Sequence, residues 1–312
     1  MDKKLNFGVI GAGYFGKNYV RLLENNPGTS LVVVADNAKE SSKVINSPDI
    51  DCVIIATPAA THFKLAVEAL KAGKHVFLEK PMVTKLTDAY ELEKYVKKSR
   101  KVFLLGHQYL YNDYVRHLKQ EIDLKVLGRV KYVFAENFYH GPIRRDVGCF
   151  WETAGHELSV IDYLFGPLNA TDISGRSQYF FSKYRDDFSV VNFKIKRNIL
   201  VTIAVSWFMP KKERNMTFSG DKGMAKFDDV EAKEKLSFIF SSFPRGAQNS
   251  SHFFSADEKK VRVPDIDVKE PLYNELTHFI DCVKNNKTPL TDIKHGIRVT
   301  KLLHDISLEL NK

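Results

Sequence analysis

Gly11-Ala12-Gly13-Tyr14-Phe15-Gly16 follows the apolar stretch Leu5–Ile10 and opens a helical pattern that runs from Phe15 to Glu24. In a strand–turn–helix of this kind the first glycine permits a tight turn, and the second lets a pyrophosphate approach the backbone. The third glycine lets helix and strand pack closely, and the helix N-terminus directs its N–H groups at the phosphates. The expected contacts of a bound dinucleotide are Gly11, Gly13, Tyr14, Phe15 and Gly16.

An acidic residue, Asp36, follows the second strand, as is typical of a dinucleotide-binding fold. Asp36 follows the strand pattern Leu31–Ala35, about 20 residues after the turn, where a carboxylate binds the adenosine ribose. A carboxylate there repels a 2′-phosphate, and no arginine follows it, so we expect NAD rather than NADP, although Lys39 is a nearby cation. The other interpretation of Asp36 is a helix N-cap.

Strand and helix patterns alternate through about residue 105, which predicts a doubly wound parallel sheet. The further strands are expected at Cys52–Ala56, His75–Leu78 and Val102–Leu105, and the further helices at His62–Ala72 and Thr87–Arg100.

One connection is short. Fifteen residues separate Asp36 from Cys52, and Ala38–Asn46 supplies one helix where a complete dinucleotide fold has a helix, a strand and a helix. Either the fold lacks a βα unit, or residues are absent from the sequence as given.

The pattern changes after about Asp123 to long runs of β-branched and aromatic residues, which predict antiparallel hairpins. In Ile199–Trp207 the odd positions are apolar, and most even positions are small, so the second face suits another subunit. We therefore expect an α/β Rossmann domain with a doubly wound parallel sheet over 1–122. An α+β domain with an open, mainly antiparallel sheet is expected over 123–312, for substrate binding and oligomerisation. Helices over about 271–311 are expected to pack back on the first domain.

Two places carry residues suited to proton transfer. Lys80 follows the strand His75–Leu78, so it is aimed at the cofactor crevice, where a lysine can stabilise an alkoxide. A surface lysine beside a turn proline is the other interpretation, and spacing favours neither. Glu152 and His156 lie four apart in a helical pattern, which suits a histidine base oriented by a carboxylate. For an isolated pair, a partly buried histidine at a helix start is the commoner outcome.

Arg144 and Arg145 follow Gly141-Pro142 in a loop. Paired guanidinium groups suit phosphate or carboxylate recognition, and a solvated loop is the equal alternative. His140 is the candidate third ligand of a metal site with Glu152 and His156, but no metal motif is complete, and we expect no metal.

Composition excludes several classes of protein. The formal net charge is +9, but the lysines are spread along the chain without a recognition motif, so no nucleic acid is expected. No apolar run approaches the ~20 residues of a membrane span, and no signal peptide is visible. Three scattered cysteines form no disulfide framework. A cytoplasmic location is expected.

Taken together, these residues resemble the Gfo/Idh/MocA oxidoreductases, the family of glucose–fructose oxidoreductase and inositol dehydrogenase. The resemblance implies that Lys80 is the catalytic lysine, that His156 is the acid/base, and that Glu152 stands at the family's aspartate. It places Thr57, Pro58, His62 and Glu79 beside NAD, and it implies a dimer or tetramer through the open sheet. The motifs that carry it are the glycine turn, Ala56-Thr57-Pro58 with Thr61-His62, Glu79-Lys80-Pro81, Glu152–His156 with Asp162 and Gly166, Ser206-Trp207 to Gly220, and Glu275–Leu290.

Gly141–Asp146 and Ser206-Trp207 also resemble a subgroup linked to nucleotide sugars and surface polysaccharides. This implies oxidation of the 3-hydroxyl of a UDP-N-acetylhexosamine, for surface polysaccharide or lipid A biosynthesis, with Arg144, Arg145 and Asn112 contacting the substrate. The alternatives are a free-sugar or inositol dehydrogenase, an NAD-binding sensor without turnover, and a redox-neutral, NAD-dependent glycosidase.

Overall fold

The computed structural model describes residues 4–13, 15–240 and 260–310. Tyr14, one of the expected cofactor contacts, lies outside the described residues. The chain divides into two compact units. The first consists of the described residues of Met1–Tyr111 and Glu270–His304, and the second of those of Asn112–Lys269 and Asp305–Lys312.

The first unit contains a five-stranded parallel sheet in the order β2-β1-β3-β4-β5. Its core is formed by strand side chains such as Val53, Ile55 and Leu78, together with apolar residues of the helices. The predicted doubly wound parallel sheet is therefore confirmed. The strands are β1 (Leu5–Ile10), β2 (Thr29–Ala35), β3 (Cys52–Ile55), β4 (His75–Glu79) and β5 (Phe103–Gly106), and the first helices are α1 (Gly16–Glu24), α2 (Ala38–Asn46), α3 (His62–Lys71) and α4 (Leu86–Ser99).

The short connection after Asp36 contains α2 alone. This helix leads into β3, which pairs with β1, and β2 is left as the edge strand. Val32 and Val34 of β2 are exposed, whereas the strands of a complete doubly wound sheet are covered on both faces. In the described residues, one helix is therefore the whole connection between β2 and β3.

The second unit contains an eight-stranded sheet in the order β13-β12-β11-β10-β6-β9-β8-β7. β6 and β9 are parallel and the other pairs are antiparallel, so the expected mainly antiparallel sheet is confirmed. The helices are α5 (Asp113–Asp123), α6 (Cys149–Thr153) and α7 (Gly155–Phe165), and the strands are β6 (Val130–His140), β7 (Thr171–Gln178), β8 (Phe188–Ile195), β9 (Ile199–Ser206), β10 (Phe208–Gly220), β11 (Gly223–Asp228), β12 (Leu236–Phe240) and β13 (Lys260–Arg262).

The division between the units falls after Tyr111 rather than at residue 122. Helix α5 packs against α7 and β11, and its His117 ring lies 6.2 Å from that of Phe238. Because α5 buries Val115 and Leu118 in this way, it belongs to the second unit. The sequence pattern shows where helices and parallel strands give way to long β-rich runs. It does not show against which unit the amphipathic helix α5 packs.

The last two helices are α8 (Pro271–Asn285) and α9 (Ile293–Leu310). α8 belongs to the first unit, where Phe279 meets Phe77 edge to face at 5.5 Å and Phe7 at 6.2 Å. These contacts lie over the centre of the parallel sheet, since Phe7 is in β1 and Phe77 is in β4. α9 runs from the first unit, which includes it as far as His304, into the second.

Strand β9 has one face in the core, as its alternation predicts. Val201, Ile203 and Val205 are fully buried, whereas Leu200 is 43% exposed and lies beside the exposed Tyr132 of β6. The expectation of an open second face is wrong for the end of the strand. There Ser206 is buried, because its hydroxyl donates to the backbone oxygen of Asp187 at 3.0 Å.

The two faces of β9 give a matched pair of variants. Ile203→Ala should destabilise the second unit by about 2–5 kcal/mol, because it opens a cavity in a closed core. Leu200→Ala, on the exposed face, should lower stability less than Ile203→Ala does, because it opens no cavity in the core of the unit. Urea unfolding followed by tryptophan fluorescence measures this unit, since Trp151 and Trp207 both belong to it. Equal losses in the two variants would contradict the assignment of faces.

Candidate active site

Each of the three glycines of the turn has different surroundings at the place where a side chain would begin. Gly11 has φ +93°, and a Cβ there would lie 2.6 Å from the Ala56 carbonyl oxygen. A Cβ on Gly16 would overlap the Gly11 carbonyl oxygen. Gly13, in contrast, has no described atom within 4 Å of the place where its Cβ would be. Packing therefore requires Gly11 and Gly16, whereas the open space at Gly13 leaves room for a ligand to approach the backbone.

The helix N-terminus at the turn is left without a side-chain cap. Phe15 occupies the N-cap position of α1, and its side chain forms no capping hydrogen bond. A pyrophosphate fits such an end, because it supplies oxygens to the N–H groups and a negative charge to the positive end of the helix dipole. The turn therefore fits the phosphates of a dinucleotide.

Asp36 lies at the glycine turn and does not cap α2. Its Oδ1 accepts a hydrogen bond from the Ala12 backbone N–H at 2.5 Å. The N-cap of α2 is Asn37, whose side-chain oxygen accepts from the Glu40 N–H at 3.0 Å. Glu40, which the sequence analysis passed over, accepts from the Asp36 N–H at 3.1 Å, so two carboxylates lie together. Such a place suits ribose hydroxyls and disfavours a 2′-phosphate.

His62 joins the segments that follow β3 and β4. It is completely buried, with Nε2 2.8 Å from the Thr57 carbonyl oxygen and Nδ1 2.8 Å from that of Pro81. A carbonyl oxygen only accepts, so both bonds form together only when each ring nitrogen carries a hydrogen. His62 thus ties the Thr57 and Pro81 backbones together, and Thr57 and Pro58 follow the end of β3 at Ile55.

Lys80 stands directly after β4, at the carboxyl edge of the parallel sheet. Glu79, the last residue of β4, is buried and accepts the Tyr19 hydroxyl hydrogen on Oε1. Its Oε2 accepts the backbone N–H of Lys80 at 3.0 Å. The carboxyl ends of parallel strands share one edge, so Lys80 and the glycine turn after β1 lie on the same edge of the sheet. The interpretation of Lys80 as part of a cofactor crevice is the one this geometry supports.

In the second unit, the expected single helix from Glu152 is interrupted at Ala154. Glu152 belongs to α6 and His156 to α7, and Ala154 is both the C-cap of α6 and the N-cap of α7. The sequence contains the reason, since Gly155 follows at once and glycine disfavours a helix interior. His156 is 8% exposed, so it is a nearly enclosed histidine on the turn after Glu152.

Residues that were not singled out from the sequence hold α6 in place. Asp186 accepts hydrogen bonds from the Phe150 N–H at 2.8 Å and from the Cys149 thiol at 3.0 Å. A carboxylate at the start of α6 matches the positive end of its dipole. A Cβ on Gly148 would overlap Asp186, which explains the glycine.

Arg144 and Arg145 differ in their surroundings. Arg144 pairs with Asp146 at 3.2 Å and is about one-third exposed. Burial alone would lower the pKa of Arg144, but the hydrogen bond to Asp146 and the charge of Glu152 raise it. Arg145 is exposed. The remaining candidate, Asn112, is buried as the N-cap of α5, and it accepts from the Tyr114 N–H at 2.9 Å.

A buried polar chain adjoins His156 in sequence. Glu157 accepts from the Asn137 side-chain amide at 2.8 Å, and Asn137 accepts in turn from Arg214 at 3.3 Å. These residues come from α7, β6 and β10, so the start of α7 is tied to the centre of the sheet. Asn137 and Arg214 are 77 residues apart in the sequence, and no local pattern predicts a contact over that separation.

Lys80 belongs to the first unit, and Glu152, His156, Arg144, Arg145 and Asn112 belong to the second. The geometry within each unit is as described above. Among the described residues, no three His, Cys, Asp or Glu side chains form a group that could hold a metal ion. No described helix is long and apolar enough to cross a membrane.

This combination of an NAD-type turn, a lysine at the β4 edge and an open second sheet is that of a known family. The model of the "oxidoreductase family, NAD-binding Rossmann fold" matches residues 5–107, and that of the "GFO/IDH/MocA C-terminal domain" matches residues 115–226. Together they span more than half of the chain. The protein belongs to the GFO/IDH/MocA family, and it is an NAD-dependent oxidoreductase. The resemblance and the cofactor expected from the sequence are both confirmed.

Particular relatives show how widely the family extends. The scyllo-inositol 2-dehydrogenase (NAD(+)) of Bacillus subtilis is 24% identical over 96% of this chain and 92% of its own. The structure of UDP-N-acetylglucosamine 3-dehydrogenase GnnA from Acidithiobacillus ferrooxidans aligns with a TM-score of 0.81 at 19% identity, covering 99% of this chain and 98% of that one. The WlbA dehydrogenase of Bordetella pertussis, in complex with NADH and UDP-GlcNAcA, aligns with a TM-score of 0.80 at 20% identity, covering 100% and 96%. At these identities the two structures demonstrate a shared fold.

The glycines allow binding and folding to be tested separately. Gly13→Ala should weaken NAD binding about tenfold or more while the thermal midpoint stays unchanged, because the added methyl meets only an arriving ligand. Gly16→Ala should lower the midpoint itself, because its methyl overlaps the Gly11 carbonyl. Calorimetric titration with NAD and differential scanning fluorimetry measure the two effects. Unchanged NAD affinity in Gly13→Ala would show that the pyrophosphate lies elsewhere.

Proposed function

We propose that the protein oxidises a secondary hydroxyl of a sugar with NAD. The preferred substrate is a nucleotide sugar, at the 3-hydroxyl of a UDP-N-acetylhexosamine, for surface polysaccharide or lipid A biosynthesis. The observation that carries the proposal is Lys80. It stands at the carboxyl edge of an NAD-binding sheet, on a strand end that the Glu79 carboxylate holds through the Lys80 backbone N–H.

The oxidation removes a proton from the hydroxyl oxygen and a hydride from the carbon that carries it. NAD, when bound at the glycine turn, would supply the hydride acceptor for the carbon that carries the hydroxyl. His156 takes the hydroxyl proton, directly or through a water, because an imidazole is a base near neutral pH. The Lys80 ammonium stabilises the negative charge that develops on the oxygen. Glu152, one turn before His156, orients the imidazole and favours its protonated form. The carbon loses two electrons and becomes a ketone.

Two observations bear on the substrate. Arg145 is exposed, and with Arg144 it provides guanidinium groups on the loop before Glu152, which suits a diphosphate. Arg144, however, is already paired with Asp146. The inositol dehydrogenase among the relatives makes an uncharged polyol or free sugar the second candidate, for which Arg144 would keep that pairing.

We further propose that a second copy covers the exposed face of the eight-stranded sheet, in a homodimer or homotetramer in the cytoplasm. Tyr132, Phe134 and Leu200 are exposed side chains on this face, and exposed apolar side chains grouped in this way are typical of an interface. A groove of about 490 Å³ beside Phe134 has both lysine and carboxylate lining, which suits self-complementary contacts. All three cysteines are buried free thiols, which fits a reducing compartment.

NADH formation is the direct test of the substrate. Wild-type protein with NAD is offered UDP-N-acetylhexosamines, the corresponding free sugars, and inositols, and absorbance reports NADH. Turnover with UDP-sugars only supports the nucleotide-sugar proposal, and turnover with inositols or free sugars only overturns it in favour of the second candidate. NAD binding without NADH across the whole panel indicates a sensor. Aglycone release without net NADH indicates glycosidase chemistry.

Replacement of Lys80 tests its role in the reaction. Lys80→Met should lower kcat about 10²-fold or more, because the alkoxide loses its charged partner, while NAD affinity changes little. Lys85→Met is the matched control, since Lys85 is an exposed lysine five residues further on. Steady-state kinetics and NAD titration of both variants give the comparison. Wild-type turnover in Lys80→Met would remove Lys80 from the mechanism.

A further inference from the structure

Two buried carboxyl groups lie close together in the first unit, at the strand end that carries Lys80. Glu79 ends β4, and Glu275 belongs to α8 and is completely buried. The charge of Glu79 acts on the pKa of Glu275, and both carboxyls act on the pKa of the Tyr19 phenol. The glycine turn, Lys80 and the hydride transfer proposed above do not account for Glu275.

The two carboxyls lie in a buried and tightly packed part of the first unit. Phe77 packs edge to face against Tyr19 at 5.0 Å and against Phe279 at 5.5 Å. A Cβ on Gly106 would lie 3.1 Å from Glu79 Oε1, so a glycine at the end of β5 makes room for that carboxylate. In such surroundings two negative charges side by side are strongly unfavourable, and one carboxyl keeps its proton.

Hydrogen bonding distinguishes the two carboxyls. Glu79 accepts from the Tyr19 hydroxyl and from the Lys80 N–H, and both bonds favour its ionised form. Among the described residues, no side chain donates a hydrogen bond to either oxygen of Glu275. Burial first, and then the charge of Glu79, raise the pKa of Glu275 well above its ordinary value, against the opposing effect of the His107 backbone N–H.

The other titratable groups around the pair come from α1, from the segment after β5, and from α9. Burial raises the pKa of Tyr19 and of Tyr111, so both phenols stay neutral. Tyr111 is bonded to the Thr291 hydroxyl at 2.9 Å. The His107 ring is bonded to the ring of His295, with 2.8 Å between Nδ1 and Nε2. These rings are therefore already partners of each other, and Glu79 is the group that responds to the state of Glu275.

We propose that Glu79 and Glu275 hold a single proton, on Glu275, and that Glu275 is thereby a positioning residue for Lys80. Its neutral carboxyl lets Glu79 remain charged and bonded to the Lys80 backbone N–H. A second charge on Glu275 would repel the Glu79 carboxylate from that bond and release the strand end. The proposal rests on the proposed function only in giving Lys80 a catalytic role.

The sign of the pH dependence follows from the raised pKa. In the unfolded chain Glu275 loses its proton near the ordinary carboxyl pKa of 4.5, and in the folded chain it does so at a higher pH. Between these two values the folded state binds one more proton, so this group makes stability fall as pH rises. Glu275→Gln, which cannot ionise, removes that loss.

Infrared spectroscopy tests where the proton is without any need for turnover. The difference spectrum of wild type minus Glu275→Gln, at neutral pH and without substrate, should contain the C=O stretch of a protonated carboxylic acid. A difference spectrum with carboxylate bands alone would overturn the proposal. Because no substrate is needed, failure to find a sugar substrate leaves this result intact.

Thermal unfolding against pH gives a second readout with a matched control. The midpoint of Glu275→Gln should be close to that of wild type at about pH 5 and should exceed it increasingly toward about pH 9. Asp187→Asn is the control, since Asp187 is completely buried but accepts N–H bonds from Trp207 and Phe180, both at 2.6 Å. It should lower the midpoint at every pH. A constant offset between wild type and Glu275→Gln would contradict the assignment.

Kinetics then connects Glu275 to Lys80. Glu275→Ala should lower kcat about tenfold or more, and Glu275→Gln should restore most of the loss, because an amide resembles a neutral carboxyl. If Gln were as poor as Ala while the wild type turns over, Glu275 would act as a charge and the proposal would be wrong.

Discussion

Gly16 approaches the Gly11 carbonyl so closely that a Cβ would not fit between them. This approach seats α1 against the end of β1 and directs its uncapped N-terminus toward the turn. It also fixes Tyr19, one turn further along α1, so that its hydroxyl reaches Glu79 at the end of β4. The turn after β1 and the strand end that carries Lys80 are thus joined through one helix. If α1 moved outward, the phosphate site and the support of Lys80 would be lost together.

The short connection after Asp36 shapes the adenosine side of the first unit. With β2 at the edge of the sheet, Val32 and Val34 are exposed where a complete fold would be covered. The Asp36 carboxylate is nevertheless held in place. Asp36 accepts the Ala12 N–H, and Asn37 takes over the capping of α2. Asp36 thus contacts the glycine turn and Asn37 caps α2, although from the sequence Asp36 alone was a candidate for either role.

In the second unit, the neighbouring carboxylates Asp186 and Asp187 act as anchors. Asp186 holds the start of α6, and Asp187 accepts the Trp207 indole N–H at 2.6 Å, so neighbouring carboxylates tie the β7–β8 connection to the site and to the sheet. Glu275 in the first unit is of another kind, since its surroundings favour the neutral acid. Burial alone therefore does not decide whether a carboxyl group is ionised or neutral. The hydrogen-bond donors around the group decide it.

Local patterns were sufficient for the glycine turn, the parallel strands, the position of Lys80 after β4 and the alternation of β9, because each depends on near neighbours in the chain. Polar or very short strands such as β7 and β13 were not found, since their pairing is decided by a distant partner. The break at Ala154, the assignment of α5 to the second unit, and the meeting of Glu79 with Glu275 likewise required the tertiary structure. Glu79 and Glu275 are nearly two hundred positions apart in the sequence, and only the packing of α8 over β4 places two carboxyls in one apolar space. Residue type can be read from the chain, but the dielectric and the hydrogen-bond donors around a carboxyl exist only once the elements are packed.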